Sequence, residues 1–264
     1  RARRGPRPRR SEERPPESTP EQWIDEGSVR DAAVAATDRA AERRPLDRAT
    51  RSDPRPLDPA VGAELLDALG QQRGARLSER LAQASEALDR ERFDEARRIA
   101  SSIAKEAPTI AAVQEVLGLA SYRLGRYKQA LRALLAAQDL REDPSLLPVV
   151  ADCHRALQRW DAVERTWSQI KAASPPHDVM AEGRIVMAGS LADRGDLEGA
   201  IAVMDPDRKA PKRVRDHHLR EWYVIGDLFD RLGDTIAARR WFGAVAERDG
   251  QVGDVADRLR SLGR

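Results

Sequence analysis

From about Leu77 onward, apolar residues recur three and four positions apart, and short polar turns interrupt them at near-regular intervals. Spacing of that kind lines apolar side chains along one face of a helix, so the region predicts amphipathic helices joined by tight turns. Aligned on the turns, the chain reads "DRERF" ending at Phe93, "RLGRY" at Tyr127, "ALQRW" at Trp160, "DRGDL" at Leu197 and "RLGDT" at Thr235. The intervals are 34, 33, 37 and 38 residues. Three residues after each anchor stand Ala96, Ala130, Val163, Ala200 and Ala238; nine before it stand Ala84, Gly118, Ala151, Ala188 and Gly226. Most units close near a proline, at Pro108, Pro144, Pro175 or Pro206.

Two helices that fold back on each other approach closely only where small side chains face, which accounts for both small-residue columns. Gly125, Gly195 and Gly233 can take the left-handed conformation that ends the first helix of a pair. Phe93, Tyr127 and Trp160 are placed to wedge between neighbouring pairs, and proline ends the second helix by excluding a helical residue before it. A lone pair cannot bury both apolar stripes, so the pairs must stack.

A helix pair repeating near 34 residues with this pattern resembles the tetratricopeptide (TPR) family. The resemblance covers residues 77–247 and implies an all-α, right-handed superhelical solenoid of about five helix-turn-helix repeats. The units fall at about 77–110, 111–143, 144–178, 179–207 and 219–249, within an array spanning 77–250. The segment "DPSLLPVVADCHRALQRWDAV", together with the Arg/Pro-rich start, also resembles a group of actinobacterial TPR proteins of no assigned activity.

Outside the array, residues 1–20 hold five prolines and no aliphatic side chain larger than Ala, which predicts a disordered arm. Ser28 as N-cap and Pro45 as stop mark a helix within 21–44, followed by a polar linker over 45–57. Residues 58–76 read as a short helix and a connection, with Asp58 as N-cap, Pro59 in the first turn and Gly70 just past the end. These N-terminal helices either extend the array or lie across its groove. Residues 251–264 predict a short capping helix.

Net charge is +2, unevenly placed: residues 1–14 carry seven Arg and two Glu, and the rest carries 39 basic and 42 acidic side chains. Arg outnumbers Lys 41 to 5, a ratio read here as the base composition of the gene rather than a need for guanidinium chemistry. The single cysteine, Cys153, excludes an internal disulfide framework and fits a reducing compartment. No apolar run approaches the ~18 residues of a membrane span, so a cytoplasmic bacterial protein is expected.

Catalytic signals are weak. Cys153 and His154 are adjacent, but neighbouring helical residues point about 100° apart, and the spacings of zinc sites are absent. Cys153 falls in a small inward slot, while His217 and His218 open the fifth unit and are expected to be solvated. Neither a glycine-rich phosphate loop nor a Ser/His/Asp arrangement is found, so no enzyme, metal or cofactor is expected.

Binding is the expected role. The family resemblance places first-helix residues on a concave face, namely Glu115, Tyr122, Arg123, Asp152, Arg155, Tyr223, Asp227 and Arg231. Tyr and Arg there suit a protein or peptide partner, because both are enriched at binding hot spots. The Lys and Asn clamp with which some TPR domains grip chaperone tails is missing: its positions hold Leu81, Ser85, Val116, Ser145 and Val149. The alternative is an RNA- or ribosome-associated factor using Arg1, Arg3, Arg4, Arg7, Arg9 and Arg10 of the arm. With them would act Arg208, Lys209, Lys212, Arg213 and Arg215 of the connection "RKAPKRVR". Neither stretch carries interleaved aromatics to stack bases.

Overall fold

A computed structural model describes residues 57–208 and 211–263. The arm, the helix expected within 21–44 and nearly all of the 45–57 linker lie outside the described residues, as do the six arm arginines and Lys209. Among the described residues the structure is all-helical, with twelve α-helices, one 3-10 turn at Pro144–Leu146 and no strand.

The chain enters through α1 (Pro59–Leu69), where an Asp58 carboxylate oxygen accepts from the Ala60 N–H at 2.9 Å. Gly70, with φ 77°, then turns the chain directly into α2 (Gln71–Asp89). The expected connection before Leu77 is therefore helix. Gln71, Gln72 and Arg73 favour helix, and α1 folds back onto α2 at once. Gly74 permits the close crossing: a Cβ there would meet the Leu65 carbonyl oxygen at 2.6 Å.

The remaining helices form five consecutive hairpins. They pair α2 with α3 (Phe93–Glu106), α4 (Ala111–Arg123) with α5 (Tyr127–Leu140), and α6 (Leu147–Ala156) with α7 (Trp160–Ala173). The last two pair α8 (His177–Asp193) with α9 (Leu197–Met204), and α10 (Asp216–Leu232) with α11 (Thr235–Ala246). The second helix of each hairpin packs on the first helix of the next, and successive first helices also touch. A short α12 (Val255–Ser261) packs on α11.

Both small-residue columns lie in the interfaces within hairpins. Ala96, Ala130, Val163, Ala200 and Ala238 are all fully buried, and Ala84, Ala151 and Ala188 are nearly or wholly so. A Cβ on Gly118 would approach the Leu134 side chain at 2.7 Å, and one on Gly226 would approach the Phe242 ring at 3.0 Å. The anchors, by contrast, are only half-buried or exposed. Arg123 of the next hairpin lies over the Phe93 ring at 4.4 Å, and Arg194 lies over Trp160 at 5.9 Å. The wedge at these two turns is thus an aromatic ring covered by an arginine.

All five hairpin turns contain a left-handed residue: Glu91, Gly125, Gln158, Gly195 and Gly233. Glycine adopts this conformation without penalty, whereas Glu91 at φ 58° and Gln158 at φ 54° do so against Cβ strain. The second helix of the fourth hairpin is the shortest, at eight residues, because Asp205 also turns left-handed and Pro206 follows. The chain then needs a long connection to reach α10.

The turn geometry yields a paired prediction. Gln158→Gly should raise stability by about 0.5–1 kcal/mol, the strain relieved less the entropy that glycine loses on folding. Gly233→Ala should cost about 1 kcal/mol although nothing lies within 4 Å of its Cβ position. For a chain of this size those values move Tm by roughly 2–4 °C in opposite directions in a thermal melt.

Candidate functional site

The eight residues expected on the groove divide into two groups. Glu115 is half-buried and pairs with Arg141 at 3.0 Å; burial pushes its carboxyl up while Arg141 opposes the shift. Tyr122 is half-buried and its hydroxyl donates to Asp152 Oδ2 at 2.6 Å. Arg123 is exposed, stacks on Phe93 and pairs with Glu91 at 3.1 Å. Arg231 is also exposed, with one guanidinium nitrogen donating to the Ala192 carbonyl at 3.3 Å.

The other four, Asp152, Arg155, Tyr223 and Asp227, are buried, against the expectation that they line a binding face. Arg155 joins Asp152 (3.1 Å) to Asp193 (2.7 Å) between the third and fourth hairpins. Tyr223 is only 2% exposed, and its hydroxyl donates to Asp254; burial pushes that hydroxyl well above its ordinary value. Asp227 meets Arg258 at 2.9 Å, and burial raises its carboxyl against the pull of Arg258 and Arg231. The physical reason is packing. Arg155 reaches into the next hairpin through Asp193, while Tyr223 packs edge-on against Phe242 of its own hairpin and is covered by Asp254, so it serves as core rather than contact surface.

Contacts of this kind recur along the array. Arg123 reaches Glu91, Arg194 reaches Glu164, Arg220 reaches Glu182, and Arg184 reaches Glu221, each across roughly one hairpin of sequence. Lysine cannot supply the planar fork with which Arg155 and Arg258 each hold two carboxylates. At these two positions, then, arginine has a structural use whatever the origin of its excess over lysine.

A concavity lies between the fourth and fifth hairpins, lined by residues of α8, α10 and α11 and by Asp205, Pro206, Asp207, Arg208, Pro211, Lys212, Arg213 and Arg215 of the connection. This cleft has a volume of about 970 Å³. At its floor Glu221, 1% exposed, is held by Arg184 and by Arg208 at 2.7 Å. His217 is buried, contrary to the solvated position expected for it, and its ring lies 4.0 Å from that of His218. The Arg215 N–H donates to His218 Nδ1 at 3.0 Å, so a neutral His218 carries its proton on Nε2. Burial is the main cause holding both imidazoles below their ordinary value, with nearby cations assisting and Glu221 opposing.

Two indoles form another wall: Trp222 of α10 and Trp241 of α11 are both half-buried, with ring centroids 6.3 Å apart. The Arg240 guanidinium sits 5.9 Å from the Trp241 ring centre. The aromatics that the basic connection lacks in sequence are therefore delivered by helices on either side of the fifth turn. Among the described residues, Lys212, Arg213, Arg215 and Arg240 make no ion pair. Of the alternative nucleic-acid set, the structure gathers Arg208, Lys212, Arg213 and Arg215 at this cleft. The sequence reading missed Arg184, Trp222, Arg240, Trp241 and His177, which are scattered over 65 positions.

Among the described residues, no three His, Cys, Asp or Glu side chains gather as a metal site, and no helix is long and apolar enough to cross a membrane. Cys153 is fully buried. No protein-family model and no curated protein matches this chain.

Two outcomes follow from the buried charges. Arg155→Met should destabilise the fold by about 3–5 kcal/mol, because Asp152 loses its buried cation. Pairing it with Asp152→Asn should restore part of that loss in urea unfolding. The second concerns pH. His154, His217 and His218 are held below 6.5 when folded, so the unfolded chain takes up protons first on acidification. Their contribution is intact above about pH 6.5 and is lost as pH falls towards the folded values. Glu115 and Asp227, raised from 4.5 and 3.8, act in the opposite sense at lower pH. The clean readout is therefore His217→Gln, which should lose less stability than the parent between pH 7.5 and 5.5.

Proposed function

We propose that the chain is a non-enzymatic, cytoplasmic scaffold of TPR type that holds a protein or peptide partner on the face formed by its first helices. The observation that supports this most is the unbroken stack of five hairpins, in which successive first helices touch and build one continuous surface. Such stacks gain length and curvature from repetition and are used as extended binding surfaces. After stacking has consumed Asp152, Arg155, Tyr223 and Asp227, the exposed Arg123 and Arg231 with half-buried Glu115 and Tyr122 remain to meet a partner. Arginine and tyrosine in that setting provide charge, stacking and hydrogen bonding at low entropic cost.

A second reading, an RNA- or ribosome-associated factor, is favoured by one observation: Arg208, Lys212, Arg213 and Arg215 share a cleft with two tryptophans. The two roles use different surfaces, so one chain can perform both.

Affinity capture from the source cell separates them. The full chain and an Arg123→Glu/Arg231→Glu variant of equal helicity are compared, each with and without nuclease. The scaffold reading expects bound proteins whose recovery drops at least tenfold in the variant and ignores nuclease. Recovery that survives both substitutions removes the first-helix face from the account, and recovery abolished by nuclease transfers the function to the second reading.

A further inference from the structure

We infer that the cleft between the fourth and fifth hairpins binds a nucleotide unit, with its phosphate on the 212–215 cations and Arg240 and its base against Trp222 or Trp241. The lining carries six lysine and arginine side chains against three carboxylates, Asp205, Asp207 and Glu221. Glu221 is already held by Arg184 and Arg208, and with Asp205 and Asp207 also counted the lining keeps an excess of three positive charges. Lys212, Arg213 and Arg215 are exposed and, among the described residues, make no ion pair, so an anion would displace no carboxylate of those residues from them. Half-buried indoles give a planar ring a stacking surface, and cations beside aromatic faces are the combination that holds single nucleotides along a strand. The volume, about 970 Å³, lies at the upper end of small-ligand pockets and has room for a nucleotide.

The lining also argues against an acidic peptide, the other anion of similar size. A peptide backbone in a groove is commonly held by side chains that both donate and accept, and this cleft contains no Ser, Thr, Asn, Gln or Tyr. It offers charged donors, imidazoles and π faces, which match phosphate and base. The unit can come from a free nucleotide or from a single strand of RNA. The inference deepens the second reading above and is independent of the scaffold reading: a free-nucleotide result keeps the cleft while removing its support for an RNA factor.

The test uses the full chain and four probes: ATP, decauridylate, inorganic phosphate and a polyglutamate decamer, followed by tryptophan fluorescence and calorimetry. ATP or decauridylate should quench fluorescence, and inorganic phosphate should bind at least tenfold more weakly than the better of the two. Lys212→Glu/Arg213→Glu, on exposed positions that spare the fold, should weaken that binding at least tenfold. For decauridylate, losing two phosphate contacts should flatten the slope of log affinity against log salt by about 1.4. Trp241→Leu should remove most of the quenching and several-fold of the affinity. Equal affinity for ATP and the strand identifies a free nucleotide; strand binding alone identifies RNA. No binding of either, affinity unchanged in the charge-reversed variant, phosphate binding as tightly as ATP, or tighter binding of polyglutamate would each overturn the inference.

Discussion

In a stack of hairpins the first helix of each unit is enclosed on two sides, by its own second helix and by the neighbouring unit. Any charged residue on its inner faces must find an opposite charge on the adjacent hairpin or bear the cost of burial unpaired. Arg155 between Asp152 and Asp193, and Arg184 with Glu221, answer that constraint. Their geometry is directional, so they set how one hairpin is offset along the next, a register that greasy contacts between alanines leave loose. The helices need small residues in order to touch; the guanidinium forks determine where they touch.

Much of this was legible in the chain. The five turns and both small-residue columns follow from steric rules acting over a few residues, and Ala96, Ala130, Val163, Ala200 and Ala238 are all buried. Less legible was the direction in which first-helix polar residues face. Tyr122 and Tyr223 lie five and twelve residues before the anchors Tyr127 and Thr235, a separation of two helical turns that keeps them on one face, yet Asp254 at the start of α12 covers Tyr223 and leaves it in the core. Periodicity says which helix face is apolar and says nothing of how much of the opposite face a neighbour will cover. The start of α2 was missed because Gly70 acts as a hinge between two helices and not as the end of a helical region.

The cleft was invisible for a different reason. Its chemistry is assembled from the beginning of α8, the connection that follows α9, the beginning of α10 and the middle of α11. The short α9 is the cause: a second helix of only two turns leaves many residues before α10 begins, and Arg208, Lys212, Arg213 and Arg215 are among them. The unit with the shortest second helix is the place where the array departs from pure packing. Deviations from a repeat are informative because the repeat itself accounts for everything else.

Arg258 carries a consequence for the architecture as a whole. From α12 it reaches Asp227, Asp230 and Asp254 and lies 5.9 Å from the Phe242 ring centre. The guanidinium–carboxylate contact that joins one hairpin to the next is used here between the fifth hairpin and its following helix, drawing α12 onto α10. Arg258 thus does for a short helix what Arg155 does for a whole hairpin, fixing where an element with little apolar surface of its own comes to rest.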